Sequence, residues 1–217
     1  MNIKTMFDNF LDLIFPRNTL QRRLDILTAE ELFLEVRHAV HDDDDVLAIF
    51  EYENELIKQA IWSLKFRGKK RFAKIFAQIL YDRLLEKMSD LQTFSNFADP
   101  ILIPIPLSKS RLRERGFNQS ELIAEEMSLL DNNSSFIFKK NILIKIKNTP
   151  PQSRSKNKKE RLNNLKNCFT VRNPHEIRKR NIILLDDVTT TGATIKEASK
   201  TLKRYGAKKI FVITVAH

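Results

Sequence analysis

The chain has 217 residues and a formal net charge of +11 at pH 7. This length suits one domain with an extension and is sufficient to bury a full hydrophobic core. The positive charge favours an anionic ligand, such as pyrophosphate, a nucleotide or nucleic acid. The single cysteine, Cys168, excludes an internal disulfide and is typical of a reducing compartment. No stretch is long and apolar enough for a bilayer-spanning helix, so the sequence predicts a cytoplasmic protein without membrane insertion.

Residues 1–45 predict a charged, helical N-terminal extension. Its first apolar stretch is interrupted by Asp8 and Asp12, which favours an amphipathic packing helix over a signal peptide. The extension ends in His41 and four consecutive aspartates at 42–45. These groups could bind a metal ion, but a solvated linker is the favoured interpretation.

The remainder of the chain, residues 46–217, alternates predicted strands with predicted helices. Short apolar runs between turn residues predict strands, whereas apolar residues that recur every three to four positions predict helices. The strands are expected at 46–52, 101–105, 142–147 (half exposed, with alternating isoleucines), 168–171, 182–185 and 210–215. The helices are expected at 56–67, 72–84, 120–130 and 194–205. This alternation predicts an α/β fold with a mainly parallel sheet flanked by helices.

The segment 182–194 carries the clearest functional pattern. Four apolar residues predict a strand buried on both faces, and Asp186 and Asp187 stand where it ends. A threonine-rich turn follows, and Thr194 and Glu197 have the spacing of a capping box, so a helix is expected to begin there. Hydroxyls, free backbone N–H groups and a helix N-terminus together favour phosphate. Carboxylates accept hydrogen bonds from vicinal ribose hydroxyls and hold magnesium through water, so the segment predicts a ribose 5-phosphate site.

This segment resembles the phosphoribosyl pyrophosphate (PRPP) signature of type I phosphoribosyltransferases. The simpler alternative is a buried strand followed by a turn that is rich in threonine. The resemblance implies the phosphoribosyltransferase type I fold and a PRPP site in which magnesium is held through the ligand. The residues that it assigns to PRPP binding are Asp186, Asp187, Val188, Thr189, Thr190, Thr191, Gly192, Ala193 and Thr194.

A second stretch, residues 103–119, joins a predicted strand to a predicted helix and is therefore expected at the same edge of the sheet. Prolines stiffen its turn, a glycine allows close backbone approach, and arginines offer forked donors for phosphate oxygens. A basic surface loop is the alternative to a pyrophosphate-binding loop, and the PRPP signature favours the latter. The predicted pyrophosphate loop comprises Pro106, Leu107, Arg111, Arg113, Arg115, Gly116, Asn118 and Gln119.

Motifs spread over residues 46–217 resemble the ComF family, competence-associated proteins with a phosphoribosyltransferase domain. The resemblance implies a role in the uptake of single-stranded DNA, with a helicase partner. ComF relatives typically begin with a cysteine-rich zinc module, but no cysteine precedes Cys168, so residues 1–45 are expected to be a degenerate version without zinc. The motifs are Leu64 to Gly68, Arg115 to Gln119, Thr149 with Gln152, Arg161 with Asn164 and Phe169, and Asp186 to Thr194.

The polar stretch 148–167 is long for a loop in a compact domain, which favours a functional lid or a disordered segment. By the resemblance it is a mobile loop that closes over PRPP, with Arg161 as a charge partner of pyrophosphate. A solvated basic loop and a contact with nucleic-acid phosphates are the alternatives. The residues assigned to the mobile loop are Thr149, Gln152, Arg161 and Asn164.

Two hypotheses from different classes follow. In the first, a ComF-like enzyme displaces pyrophosphate from C1 of PRPP with a nitrogen nucleophile, and Asp186, Asp187 and Arg161 are its catalytic residues. In the second, the chain is a non-catalytic accessory protein that binds single-stranded DNA through its basic residues, and the PRPP site is a sensor or a relic.

Overall fold

The computed structural model describes residues 19–39, 44–148 and 165–217. Its centre is a five-stranded parallel sheet with the strand order β1-β7-β6-β2-β3. These strands are β1 (Val46–Phe50), β2 (Ile101–Pro104), β3 (Ile137–Phe138), β6 (Ile182–Val188) and β7 (Ile210–Ala216). A separate antiparallel pair consists of β4 (Leu143–Lys145) and β5 (Phe169–Val171). The expected α/β fold with a mainly parallel sheet is confirmed.

The helices of the described residues accompany these strands. They are α1 (Thr19–Ile26), α2 (Ala29–Glu35), α3 (Glu55–Arg67), α4 (Arg71–Ser95), α5 (Lys109–Arg115), α6 (Gln119–Leu130) and α7 (Ala193–Arg204). As expected, α3 ends at Gly68, whose left-handed backbone (φ 63°) is readily adopted by a residue without a Cβ. Within these ranges, no helix combines the length and the apolar composition needed to cross a bilayer.

Strand β6 lies between β2 and β7, and this central position explains its apolar sequence. Successive residues of a strand face opposite sides of the sheet. Ile183 and Leu185 pack into a core shared with helices α1 to α4 and α6, whereas Ile182 and Leu184 pack against α7 and the β4–β5 pair. Because both neighbours of β6 run parallel to it, the carboxyl ends of the central strands meet at one edge.

The half-exposed strand expected at 142–147 corresponds to β4, which pairs with β5. Leu143 is buried opposite Val171, whereas Ile146 is 59% exposed. Leu143 and Lys145 lie on the same face of β4, and the partly buried Lys145 lies opposite the buried Phe169. Ile142 is buried just before the strand, so the segment 142–147 is half exposed as expected, although exposure increases along it instead of alternating.

The two N-terminal helices extend the main core. Leu24 of α1 and Leu32 of α2 are buried in it. A capping box starts α2: the Thr28 hydroxyl accepts from the Glu31 N–H (3.2 Å), and the Glu31 carboxylate accepts from the Thr28 N–H (2.7 Å). His41 and the first two of the four aspartates lie outside the described residues.

Candidate functional site

A cleft of about 350 Å³ opens at the carboxyl ends of β2 and β6. Its walls combine acidic, basic and hydroxyl side chains from several elements. They are formed by Tyr52, Lys65, Ile105, Pro106, Leu107, Arg111, Arg115, Gln119, Lys145, Asp186, Asp187, Val188, Thr190 and Thr194. A larger cavity of about 750 Å³ lies at the amino ends of β1 and β7, and none of the site residues predicted from the sequence lines it. The smaller cleft is therefore the candidate site.

Asp186 and Asp187 lie near the carboxyl end of β6, where each is oriented by a different helix. Oδ1 of Asp186 accepts hydrogen bonds from the Ser120 hydroxyl of α6 (3.2 Å) and from the backbone N–H of Asp187 (2.9 Å). Oδ2 of Asp187 lies 2.7 Å from the ammonium of Lys65 on α3, and this ion pair is largely buried. The two carboxylates thus share the cleft but differ in their electrostatic partners.

The pKa of Asp186 is raised to about 7, first by burial and then by the negative charge of Asp187. The ammonium of Lys65 acts in the opposite direction but does not cancel these effects. Two carboxylates in a poorly solvated site resist simultaneous ionisation. The charge of the cleft consequently changes near neutral pH, and a ligand that carries a cation or donates hydrogen bonds favours the ionised form.

The turn after β6 presents hydroxyl groups beside the start of a helix. Thr190 and Thr194 line the cleft. The hydroxyl oxygen of Thr191 is buried and has no hydrogen-bond partner within the described residues. Gly192 has a left-handed backbone (φ 68°) and directly precedes α7. An unpaired buried hydroxyl next to the N–H groups of a helix start is well suited to an anionic oxygen.

The capping box predicted at Thr194 and Glu197 is wrong. Helix α7 begins at Ala193, so Glu197 is the fifth helical residue, whereas a capping box needs the third. Its carboxylate instead accepts a hydrogen bond from the backbone N–H of Asn167 (2.7 Å). The start of α7 carries no side-chain cap from Gly192, which keeps this helix end compatible with an external anion.

Helix α5 separates the predicted arginines by their helical phase. Arg111 and Arg115 are four residues apart and both line the cleft. Arg113 is exposed, donates to the carbonyl of Lys109 (3.4 Å) and does not line the cleft. Residues two positions apart on a helix do not share a face. Arg113 therefore lies apart from the other two arginines, and its role in pyrophosphate binding stays a prediction.

The other residues of the predicted pyrophosphate loop divide into lining and shaping residues. Pro106, Leu107 and Gln119 line the cleft, as expected. Gly116 ends α5 with a left-handed backbone (φ 82°). Asn118 caps α6 and donates its side-chain amide to the carbonyl of Ile105 (3.0 Å). The last two residues shape the connection without lining the cleft.

The same division applies to the PRPP signature. Val188 lines the cleft, whereas Thr189 and Ala193 are buried beside it. The backbone N–H of Thr189 donates to the carbonyl of Ala216 at the end of β7 (3.0 Å). That bond continues the sheet beyond Val188 and fixes where the threonine-rich turn begins.

Sequence patterns gave no role to three residues of the cleft. Lys65 belongs to the segment from Leu64 to Gly68, which resembles a ComF motif, but the motif did not reveal its pairing with Asp187. Tyr52 follows β1, and its backbone N–H donates to the carbonyl of His217 (2.8 Å). Burial lowers the pKa of Lys145, which faces the cleft from β4. These residues lie on α3, after β1 and on β4, which are distant in sequence and meet only in the folded chain.

The predicted mobile loop, the single cysteine and possible metal ligands remain to be located in the structure. Thr149, Gln152, Arg161 and Asn164 lie outside the described residues. Cys168 is fully buried and belongs to the core beside α7 and the β4–β5 pair. In the part of the chain that the structure describes, no three His, Cys, Asp or Glu side chains are grouped as a metal site.

Comparison with known proteins identifies the class of fold. Residues 130–217 match the family described as "Phosphoribosyl transferase domain". This match covers β6, the threonine-rich turn and α7, which form one wall of the cleft. The parallel sheet and the family match together define a protein with the phosphoribosyltransferase type I fold.

Curated relatives define the family more narrowly. Competence protein F of Haemophilus influenzae is 31% identical over 169 residues, which are 77% of this chain and 71% of that protein. Competence protein ComFC of Bacillus subtilis is 36% identical over 163 residues, 73% of this chain and 58% of that protein. DNA utilization protein YhgH of Escherichia coli O157:H7 is 30% identical over 152 residues, 70% of this chain and 63% of that protein. The chain therefore belongs to the ComF family, and it spans less than two thirds of the last two relatives.

Proposed function

We propose that the cleft binds PRPP together with Mg²⁺. The observation that carries the proposal is the convergence in one cleft of two carboxylates, a hydroxyl-rich turn at a helix start, and two arginines from α5. A sugar bearing phosphate groups at both ends needs these three kinds of partner at once. A simple phosphate would gain nothing from the carboxylates and would be repelled by them.

Each part of the cleft has a role in this proposal. Asp186 and Asp187 accept hydrogen bonds from the ribose hydroxyls. The turn from Thr190 to Thr194 and the N-terminus of α7 bind the 5-phosphate, with the unpaired hydroxyl of Thr191 as an additional donor. Arg111 and Arg115 bind the pyrophosphate through charge-assisted hydrogen bonds.

The donor chemistry also fits magnesium. Carboxylate oxygens and phosphate oxygens are the hard ligands that Mg²⁺ prefers, and the ion usually keeps several waters. Asp186 and Asp187 would hold it through water and through the ligand, and the bound ion would neutralise charge on the pyrophosphate.

The proposed reaction is phosphoribosyl transfer to a nitrogen nucleophile. The nitrogen forms a bond to C1 of PRPP while the bond from C1 to the pyrophosphate oxygen breaks, and pyrophosphate leaves with the bonding electrons. Stabilisation of charge on the leaving group is the main requirement, so Arg111 and Arg115 contribute more than a strong base would. The nitrogen loses its proton to solvent or to a nearby carboxylate.

Calorimetric titration with PRPP, with and without Mg²⁺, tests the proposal. We expect binding that depends on Mg²⁺ and disappears when both Asp186→Asn and Asp187→Asn are introduced. Release of pyrophosphate with nitrogenous acceptors then tests the transfer step. An affinity for PRPP that is unchanged in the double variant would overturn the assignment of the carboxylates.

A role in DNA uptake is the second candidate function, and two observations favour it. The relatives carry the names competence protein and DNA utilization protein, and the chain has a formal net charge of +11. We propose that the protein contacts single-stranded DNA, chiefly through its phosphates. Binding should weaken by orders of magnitude between about 50 and 200 mM salt, because each phosphate contact releases counterions. Fluorescence anisotropy of a labelled oligonucleotide measures this dependence.

A further inference from the structure

Helix α3 carries two exposed aromatic side chains beside the cleft. Trp62 and Phe66 are 43% and 62% exposed, although most of the apolar residues of this helix are buried. They are four residues apart, so they lie on the same helix face, and their ring centroids are 5.8 Å apart. Contiguous exposed apolar side chains indicate an interaction site more often than isolated ones do.

Two guanidinium groups accompany these rings. The guanidinium of Arg67 lies 5.1 Å from the ring centroid of Trp62, and that of Arg115 lies 5.1 Å from the ring centroid of Phe66. Both distances are within the range of cation–π contact. We call Trp62, Phe66, Arg67 and Arg115 the aromatic–arginine surface. Since Arg115 also lines the cleft, this surface begins at the mouth of the candidate site.

The composition of this surface specifies the chemistry of its ligand. Aromatic faces stack on the faces of nucleobases, and guanidinium groups bind phosphate or stack on bases themselves. The positive charge of the whole chain favours a polyanion over a neutral or basic partner. The ligand must be single-stranded, because the faces of paired bases are already covered by their neighbours in a duplex.

We propose that the aromatic–arginine surface binds single-stranded nucleic acid by stacking bases on Trp62 and Phe66. The proposal rests on the DNA-related role given above as the second candidate function, and it deepens that role by locating the contact. It adds base contacts on α3 to the phosphate contacts of that second candidate function. The strand would continue from these rings towards the cleft past Arg115.

Trp62 makes the test direct because it is the single tryptophan of the chain. An oligothymidylate of about 15 nucleotides, labelled at one end, is titrated at about 50 mM salt, where phosphate contacts are strongest. Anisotropy of the label reports binding anywhere on the protein, and tryptophan emission reports stacking at Trp62. We expect both signals to saturate together. An abasic oligonucleotide of equal length should leave the emission unchanged.

Substitutions test whether the phenyl ring of Phe66 also contributes to oligonucleotide binding. Phe66→Ala should weaken oligothymidylate binding roughly 5- to 100-fold, the range expected for loss of one base–aromatic stack. Trp62→Phe should retain binding, because a phenyl ring still stacks. Leu129→Ala is the matched control, since Leu129 is a 75% exposed apolar residue on α6 and does not line the cleft. Its affinity should equal that of the unaltered protein.

Three results would overturn the proposal in distinguishable ways. Anisotropy that reports binding without a change in Trp62 emission, and without an effect of Phe66→Ala, would place DNA elsewhere and leave the DNA-related role intact. An absence of anisotropy change would remove both the location and that role. A sedimentation coefficient that rises with protein concentration, and falls in Phe66→Ala, would assign the surface to self-association.

Discussion

The ammonium of Lys65 lies 2.7 Å from Oδ2 of Asp187, and the two side chains are only 19% and 6% exposed. Lys65 lies in the last turn of α3, and Asp187 lies near the carboxyl end of β6. This ion pair therefore connects a helix to the central strand of the sheet. In the proposed function the ammonium also holds the Asp187 carboxylate in position as an acceptor for a ribose hydroxyl. The pair therefore links stability to ligand binding.

Removal of the ammonium should destabilise the protein strongly. We expect Lys65→Met to lower the free energy of unfolding at pH 8 by about 3 kcal/mol, because it leaves a buried carboxylate without its cation. Urea denaturation followed by circular dichroism measures the change. Addition of Asp187→Asn to this variant should restore part of the loss, since the buried charge is then absent as well.

Lys58 provides a matched control on the same helix. It pairs with Glu53 and Glu55 at 3.1 Å each, but these carboxylates are 88% and 65% exposed. We expect Lys58→Met to cost less than about 1 kcal/mol, the usual value of a solvated ion pair. Equal losses in the two lysine variants would show that burial of the Lys65–Asp187 pair contributes nothing.

Asp186 should make the stability of the protein depend on pH. Its pKa in the folded state is about 7, above the ordinary value of 3.8, so the native state binds more protons than the unfolded state between these values. The contribution of Asp186 to the free energy of unfolding should therefore be most favourable below about pH 4. It should fall by a few kcal/mol as the pH rises to about 7 and stay level above it, since one pKa unit corresponds to about 1.4 kcal/mol.

Asp186→Asn tests this pH dependence because it removes the titrating group. We expect a flatter stability profile between pH 4 and pH 7, measured by denaturation at intervals across that range, and greater stability than the unaltered protein above about pH 7. Asp82→Asn, at an exposed position of α4, is the control and should leave the profile unchanged. A profile that keeps its slope in Asp186→Asn would show that other groups cause it.

The part of the site that is contiguous in sequence could be predicted from the sequence. The segment from Ile182 to Thr194 contains a buried strand, two carboxylates and a threonine-rich turn, and it forms one wall of the cleft. The groups that form this wall are neighbours in the sequence, so their proximity does not depend on the rest of the fold. The fold class was predictable for a similar reason, because alternating strands and helices restrict the possible layer arrangements.

The parts that depend on helix phase or on long-range pairing could not be predicted in this way. The sequence does not reveal that α5 directs Arg111 into the cleft and Arg113 into solvent. Lys145 lines the cleft in a strand, β4, that is held in place by its pairing with β5, which is distant in sequence. The predicted capping box is absent because the N-cap of α7 is Gly192, two residues before Thr194, which makes Glu197 the fifth helical residue instead of the third.

Two arginines of α5 allow the cleft to be tested with closely matched variants. We expect Arg111→Ala to weaken PRPP binding about 10- to 100-fold, because hydrogen bonds to charged groups contribute about 1.5–3 kcal/mol. Arg113→Ala removes the same charge two positions away, outside the cleft, and should change the affinity less than about twofold. Calorimetry in Mg²⁺ measures both. Similar losses in the two variants would indicate attraction by net charge rather than direct contact.

Gly192 should contribute through its backbone conformation alone. Its φ of 68° is unfavourable for most residues, but a Cβ at this position would meet no heavy atom within 4 Å. We expect Gly192→Ala to reduce the free energy of unfolding by about 1 kcal/mol, and Gly192→Asn to cost less, because asparagine tolerates the left-handed region. Gly206→Ala is the contrasting variant, since a Cβ there would lie 3.2 Å from Cγ of Arg178 in addition to the positive φ of 96°. Chemical denaturation should therefore show a larger loss for Gly206→Ala, and the reverse order would mean that the turn before α7 makes a contact that backbone strain does not explain.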